Sequence, residues 1–509
     1  MAGALWYKPK PRDANGASVR ARAHAEELQA AEEAIAGEVL KRMVELGRPS
    51  MSAPHGPDHK WASMRSLRRF VQEDGFSSKA TTVVLGLQRC GRMSGPAQQR
   101  RENIMTTRRR VLAGAAATVT VPFGAPRIAA AQASPGVTAT EIRIGNTMSY
   151  SGPVSGLGIQ GKTMDAYFRK MNDDGGVAGR RIRFLTYDDG YSPPKTVEQV
   201  RRLVEQDQVA CLFSNLGTPT NSAVLRYLNQ RKVPNLFPST GADKWSNYQD
   251  FPWTIGFPPS YRIEAQLYAK HILAAHPGGR IAILHQNDDF GRDYVHGVRD
   301  VLGSKFEEAT KVLSYESTDP TIDQQIISLQ SNGCQGLVLA VTAKFASMAI
   351  RKLHEIGWKP TTCVHYGANS VGVVIQPAGL EKAVGLTTAA YLKDPTDPAW
   401  AQDPGMLQWR AFMARYMPDA DLTDANSVYG YSAAQAMTQV LQQCGQDASR
   451  ENIMRQATNL KDVEIPTLLP GIRLNSSPTN YRPIRQMQLQ RFNGTTYDRF
   501  GTLMEGSIS

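Results

Sequence analysis

The chain has 509 residues and more basic than acidic side chains, with 58 Lys and Arg against 46 Asp and Glu and a formal net charge of +12. This excess lies in the first 133 residues, which hold 21 basic and 11 acidic side chains and leave 37 and 35 for the remaining 376 residues. Because those 376 residues carry a net charge of only +2, the composition argues against a nucleic acid or another polyanion as the partner.

Residues 105–133 are predicted to form an export signal. Arg108, Arg109 and Arg110 begin the segment, an apolar stretch of small residues follows, and Ala131-Gln132-Ala133 offers a small-x-small cleavage site. The arginines resemble those of twin-arginine signals, which direct folded proteins across a bacterial inner membrane. The alternative is a buried alanine-rich helix, although Pro122 and Pro126 interrupt this stretch.

We therefore expect a periplasmic protein whose mature chain begins near Ser134. Residues 1–104 would then be a disordered extension or an upstream segment added by mis-annotation, because they mix charged, Pro-rich and Ser-rich pieces without a sustained strand pattern.

From residue 141 onward, short apolar strands alternate with amphipathic helices, a pattern that is typical of parallel sheets. The first series has predicted strands at 141–148, 181–187, 209–214 and 233–238, with helices at 161–172, 194–205 and 220–231. The second has helices at 261–275, 294–302, 322–331 and 344–357, with strands at 280–285, 311–315, 336–340, 363–366 and 384–390. Helices at 404–417 and 427–444 and a strand pair at 487–492 and 498–501 follow.

Two such series predict an α/β fold with two doubly wound parallel-sheet lobes. We assign residues 134–257 and 391–484 to lobe 1, and residues 258–390 and 485–509 to lobe 2. Ligands of such sheets lie beyond the carboxyl ends of the strands, so we expect the functional site in the loops that follow the strands.

A glycine-rich segment after the first strand offers a competing function. Gly156, Gly158 and Gly161 match the G-x-G-x-x-G pattern, with Asp188 and Asp189 downstream, as in a dinucleotide-dependent oxidoreductase. Residues 149–155 separate the strand from these glycines, whereas a phosphate-binding turn places the first glycine directly after the strand. We therefore favour a close backbone approach at the helix start and expect no cofactor.

Other signs of catalysis or metal binding are weak. The pairs Asp188 with Asp189 and Asp288 with Asp289 could serve acid-base chemistry, but acids at strand ends more often cap the next helix. Of the cysteines, Cys334 and Cys363 are the best candidates for a disulfide, and unpaired buried cysteines are the favoured alternative. We expect no catalytic residues, no metal site and no enzyme.

Six segments after residue 141, taken in order, resemble the branched-chain amino-acid (Leu/Ile/Val-binding) family of ABC-transporter substrate-binding proteins. The resemblance implies the periplasmic binding protein type I fold, with two lobes joined by three hinge crossovers. It also implies a ligand enclosed between the lobes and handed to an inner-membrane permease, without catalysis. The segments are SYSGPVSGLGIQG, YDDGYSPPKT, FSNLGTPTNSA, VPNLFPSTGADKW, QNDDFGRDYVHG and NSVYGYSAAQA.

The resemblance also implies a ligand site. Two loops of the first lobe would hold a ligand carboxylate with backbone N–H groups and hydroxyls, and aromatic side chains of the second lobe would close over it. This chain departs from the family where a tyrosine, a serine and an ammonium-binding acid are common. The departures are Leu157, Gly217 and Asn369, and the other implied site residues are Asn215, Thr218, Ser239, Thr240, Gly241, Phe290 and Phe345.

We interpret the chain as a monomeric periplasmic solute-binding component of an ABC importer for a small organic anion or amino acid. A ligand-sensing module for a membrane receptor is an alternative. Because Asn369 cannot neutralise an ammonium group, we expect a carboxylate without an α-amine rather than a leucine-like ligand.

The export signal predicts cleavage after Ala133. N-terminal sequencing of the exported protein should therefore read from Ser134, and a mature chain that still carries residues before Met105 would contradict the prediction.

Overall fold

The computed structural model describes residues 134–506. The predicted export signal and residues 1–104 lie outside the described residues. Within the described part, two sheets organise the chain, and helices flank both of them.

The first sheet contains five strands, all parallel. They are β1 (Glu141–Met148), β2 (Arg181–Asp188), β3 (Cys211–Phe213), β4 (Asn235–Leu236) and β5 (Thr254–Ile255). Their spatial order is β2-β1-β3-β4-β5. The last strand, β5, was not predicted from the sequence.

The second sheet contains seven strands, of which the first five are parallel and the last two antiparallel. They are β6 (Ile281–Gln286), β7 (Thr310–Tyr315), β8 (Gly336–Ala340), β9 (Thr361–Val364), β10 (Thr387–Ala390), β11 (Gln486–Phe492) and β12 (Tyr497–Glu505). Their order is β12-β11-β10-β9-β8-β6-β7. Every residue of β6 and β8 is buried, as expected for parallel strands with helices on both faces.

Ten helices of eight or more residues occur in the described part of the chain. Their bounds are α1 (Ile159–Asp173), α2 (Pro193–Arg201), α3 (Thr218–Gln230), α4 (Tyr261–Ala275), α5 (Asp289–Leu302), α6 (Asp323–Gln330), α7 (Ala343–Glu355), α8 (Pro404–Tyr416), α9 (Ala425–Cys444) and α10 (Arg450–Ala457). No helix among residues 134–506 is long and apolar enough to cross a membrane.

Together, the two sheets and these helices confirm the α/β fold with two doubly wound lobes. Helix α5 begins five residues before its predicted start, because the Asp288 carboxylate accepts a hydrogen bond from the Gly291 N–H at 3.2 Å and caps the helix. Helix α10 was not predicted. It is short and its composition is mostly polar, so the hydrophobic period that identifies longer helices is weak.

The glycine-rich segment packs against a tyrosine. A Cβ at Gly161 would overlap the Tyr150 hydroxyl, and a Cβ at Gly158 would lie 3.1 Å from the Tyr150 ring. That hydroxyl contacts Thr186 Oγ1 at 2.7 Å. Ten residues separate the end of β1 from the start of α1, so no glycine lies directly in a strand-to-helix turn.

The four cysteines of the described part are buried and form no disulfide. Cys334 and Cys363, the best candidates from the sequence, are both free, as are Cys211 and Cys444.

A glycine in α9 lets that helix pack closely on α1. A Cβ at Gly430 would lie 2.6 Å from the backbone oxygen of Gln160 and 3.0 Å from the Thr163 Cβ. A contact of that length with a backbone atom requires the two helices to move apart.

We therefore expect Gly430→Ala to destabilise the protein by about 1–3 kcal/mol, because overpacking outweighs the better helix propensity of alanine. Urea unfolding measures the change. Gly156→Ala is the control, since its Cβ would meet only a Val373 methyl group at 3.5 Å. A Gly430→Ala protein as stable as the parent would show that the helices do not pack this closely.

Candidate ligand-binding site

A cavity of about 120 Å³ lies between the two sheets, at the carboxyl ends of their strands. The loops after β1, β2, β3 and β4 contribute one wall together with the start of α9. The loops after β8, β9 and β10 contribute the other wall together with the first turns of α4 and α5. This is the place that the sequence analysis expected for a site.

The wall from the first sheet is polar but has no charged side chain. Thr218 lies at the start of α3 and its hydroxyl is 2.6 Å from that of Thr240. The Ser239 hydroxyl donates to Gln160 Oε1 at 2.7 Å. The Tyr429 hydroxyl is buried on this wall and has no hydrogen-bond partner among the described residues.

Gly217 precedes α3 and has a positive φ of 93°, a conformation that favours glycine. The Tyr191 ring packs directly on it, so that a Cβ at this position would overlap the ring. This contact gives a physical reason for a glycine where the family often has a serine.

The wall from the second sheet is aromatic. Tyr261 is central, with ring centroids 4.9 Å from Phe290, 5.0 Å from His365 and 5.6 Å from Tyr366. Tyr366 continues the cluster to Tyr391 at 5.2 Å. All five side chains border the cavity, which therefore combines hydrogen-bonding groups on one side with flat apolar surfaces on the other.

A buried carboxylate stands behind this aromatic wall. Glu264 is completely buried and is approached by the hydroxyls of Tyr268 and Tyr294. The Tyr366 N–H donates to it at 2.7 Å. His365 Nδ1 lies 2.7 Å from the Tyr294 hydroxyl and 3.3 Å from Glu264 Oε2, so this network holds the His365 ring in place.

The cavity contains an acid that the sequence analysis missed. Asp394 borders the cavity just beyond β10, and burial raises the pKa of its carboxyl group. Its Oδ1 accepts from the Thr396 hydroxyl at 2.6 Å and from the Thr396 N–H at 2.8 Å. The neighbouring Lys393 ammonium instead donates to Asp403 at 2.7 Å, so Asp394 has no basic partner among the described residues.

The expectation of a cavity without an acid is therefore wrong. Asn369 does border the cavity, and its backbone oxygen accepts from the Tyr497 hydroxyl at 2.8 Å. The acid lies instead in the loop that follows the neighbouring strand, β10. An acid shortly after a predicted strand was the signal that could have identified Asp394. Such acids were considered only at positions 188–189 and 288–289.

Of the ten residues that the resemblance implied, seven border the cavity. They are Leu157, Gly217, Thr218, Ser239, Thr240, Phe290 and Asn369.

The structure places the other three outside the cavity lining. Asn215 is fully buried, and its Oδ1 accepts from the Thr147 N–H at 2.9 Å to join neighbouring strands. Gly241 faces Pro259 and Tyr366, where a Cβ would overlap backbone and side-chain atoms. Phe345 points into the core and packs on Tyr315 at a centroid distance of 4.3 Å.

The acid pairs are held by structural bonds. Asp188 accepts from the Ser151 hydroxyl at 2.6 Å, and the buried Asp189 accepts from the Ser149 hydroxyl at 3.0 Å. Asp288 caps α5, and Asp289 forms ion pairs with Lys244 and Arg292. These acids support loops and helix starts, as the sequence analysis favoured. No group of three or more potential metal ligands occurs among residues 134–506.

The two lobes touch each other beside the cavity. Lys244, from the loop after β4, pairs with Asp289 of α5. Next to it, the Asp243 N–H donates to Asp293 Oδ2 at 2.8 Å. Burial is the main cause that raises the pKa of Asp293 to about 7, and the charges of Asp243 and Asp289 add to it.

This pKa predicts a pH dependence of stability. Folded Asp293 keeps a proton that the unfolded chain loses above its ordinary pKa of 3.8, so its contribution to stability is complete below that value and is lost as the pH rises through about 7. Asp293→Asn should therefore unfold with a free energy higher by on the order of 4 kcal/mol at pH 8 and nearly unchanged at pH 4.

Urea unfolding at both pH values measures this difference. Asp419→Asn is the control, since Asp419 is exposed and makes no hydrogen bond in the described part of the chain. Equal gains for both variants at pH 8 would mean that Asp293 ionises normally.

The fold and the cavity between the two sheets define a two-lobed solute-binding protein. Residues 141–496 match the family model described as periplasmic binding protein, and the chain belongs to that family. The Leu/Ile/Val-binding protein homolog 7 of Brucella abortus is 23% identical over 356 residues, which cover 66% of this chain and 85% of that protein.

Solved structures show the same fold. A branched chain amino acid ABC transporter from Thermus thermophilus with bound valine has a TM-score of 0.65 at 14% identity and covers 72% of this chain and 97% of its own. A fatty acid ABC transporter substrate-binding protein from Thermomonospora curvata has a TM-score of 0.62 at 18% identity and covers 73% of this chain and 94% of its own.

Proposed function

We propose that this protein is the periplasmic solute-binding component of an ABC importer, which captures a small carboxylate-bearing solute between its lobes and passes it to an inner-membrane permease. The observation that carries the proposal is the uncharged polar wall at the start of α3, which faces an aromatic wall across the cavity between the lobes. Family membership supports export and a solute-binding role without catalysis.

The polar wall suits a carboxylate. In the first turn of α3, the N–H groups of Thr218 and Thr220 have no partner within the helix, whereas Pro219 has no N–H. The helix dipole favours a negative charge there. The hydroxyls of Thr218, Ser239 and Thr240 lie beside this helix start. Hydrogen bonds to an ionised carboxylate are stronger than those between neutral groups, so such a wall binds an anion without a buried cation.

The chemistry of the cavity lining supports a ligand that carries an amine as well as one that lacks it. Asp394 is a buried carboxyl group without a basic partner among the described residues, which suits an ammonium group. Of the two similar structures, the one from Thermus thermophilus contains bound valine, and the one from Thermomonospora curvata is the substrate-binding protein of a fatty acid ABC transporter. We therefore propose an amino acid or an aromatic or aliphatic organic acid.

The test is calorimetry of the purified protein with leucine, valine, phenylalanine, tyrosine, benzoate, 4-hydroxybenzoate and the keto acid that corresponds to leucine. Thr218→Ala should weaken binding of any acid that binds by about 10- to 100-fold, because it removes a hydrogen bond to a charged group. Thr318→Ala is the matched control, an exposed threonine outside the cavity. If none of these acids binds the parent protein, the proposed function is wrong.

Asp394→Asn in the same experiment distinguishes the two ligand classes. The variant should lose affinity for an amino acid, since the ammonium group loses its counter-charge, and keep or gain affinity for an amine-free acid.

A further inference from the structure

His365 lies beside the cavity, but the proposed function gives it no role. Its ring borders the cavity, and its Nδ1 faces away toward Tyr294 and Glu264. Its Nε2 has no hydrogen-bond partner among the described residues. Gly367 also borders the cavity and lies so close to Nε2 that a Cβ at this position would overlap the nitrogen.

The network behind the ring determines which nitrogen carries the proton. The Tyr294 hydroxyl contacts both Glu264 Oε2 and His365 Nδ1. Because a carboxylate only accepts, the tyrosine donates its proton to Glu264 and its oxygen is left to accept from Nδ1–H. In the neutral ring, Nε2 is then an unprotonated acceptor that lies against Gly367 at the edge of the cavity.

One aromatic ring separates this acceptor from the carboxylate-binding wall. The Tyr261 N–H donates to the Gly241 oxygen at 2.9 Å, directly after Thr240, and the Tyr261 ring lies 5.0 Å from that of His365. The space along this ring is lined by Phe290 and Tyr366. A flat ligand of one ring, with its carboxylate at Thr240, would bring its far end to His365.

We propose that His365 is a specificity-determining residue that accepts a hydrogen bond from a ring hydroxyl of the ligand, so that the solute is a hydroxylated aromatic carboxylic acid. This inference rests on the proposed function and narrows its ligand class. A site built to hydrogen-bond a hydroxyl rejects the analogue that lacks it, because the buried acceptor is then left without a partner. The His365 ring selects a ligand with a ring hydroxyl group whether or not that ligand also carries an amine.

The test compares ligands that differ by one hydroxyl group. Calorimetry of the purified protein with 4-hydroxybenzoate against benzoate, and with tyrosine against phenylalanine, should show at least tenfold tighter binding of the hydroxylated member of whichever pair binds. His365→Phe keeps an aromatic ring and removes both nitrogens, so it should reduce the preference to within about twofold while the hydroxyl-free acid keeps its affinity.

Two further variants separate recognition from stability. His365→Gln retains an acceptor near the Nε2 position and should restore part of the preference. His296→Phe is the control, because His296 is an exposed histidine on α5 outside the cavity. This variant should leave the preference for the hydroxylated acid unchanged. Thermal unfolding of each variant shows whether it is folded.

Several outcomes would overturn the inference. Equal binding of both members of a pair by the parent protein is one, and an unchanged preference in His365→Phe is another. Binding of leucine, valine or the keto acid alone would also overturn it while the proposed function stands. If no acid of any class binds, the proposed function fails with it.

Discussion

The site depends on the common direction of the parallel strands in both sheets. Strands β1, β3 and β4 of the first sheet and β8, β9 and β10 of the second all end at the same cavity. Parallel strands place their following loops at one edge, so residues far apart in the chain gather there without a continuous motif. The long helix α9 adds Tyr429 to this edge because it packs on α1 beside the first sheet.

The placement of charge follows from the cost of burying it. Near the cavity, Lys244 is paired with Asp289, and Lys393 with Asp403. Glu264 is fully buried, but hydroxyls and an N–H surround it. Ion pairs thus compensate the two lysines, one of which, Lys393, itself borders the cavity, and hydrogen bonds stabilise Glu264. Most of the remaining lining offers neutral dipoles and apolar surface. Asp394 is the exception, and burial raises its pKa.

Much of the fold could be predicted from the sequence, because hydrophobic runs and helical periods are local signals. The strands from 281 to 340 follow such runs closely. Element starts depend on caps, as at Asp288, and these shift a boundary by several residues. The direction in which a side chain points was harder to predict from the sequence. Phe345 follows Thr342, the N-cap residue of α7, by three positions, yet one turn of α7 is enough to carry its ring into the core.

The sequence analysis named Asn369 but missed Asp394, and the pairing of strands explains why. The two residues follow different strands, but β9 and β10 are neighbours in the sheet, so both loops reach the same space. The residue at position 369 is only one side chain after one strand, so it does not determine which charged groups border the cavity. His365 is similar, since its orientation depends on Glu264 and Tyr294, which lie on helices α4 and α5. The chemistry of this cavity is therefore set by the pairing of strands and helices, which sequence spacing alone does not reveal.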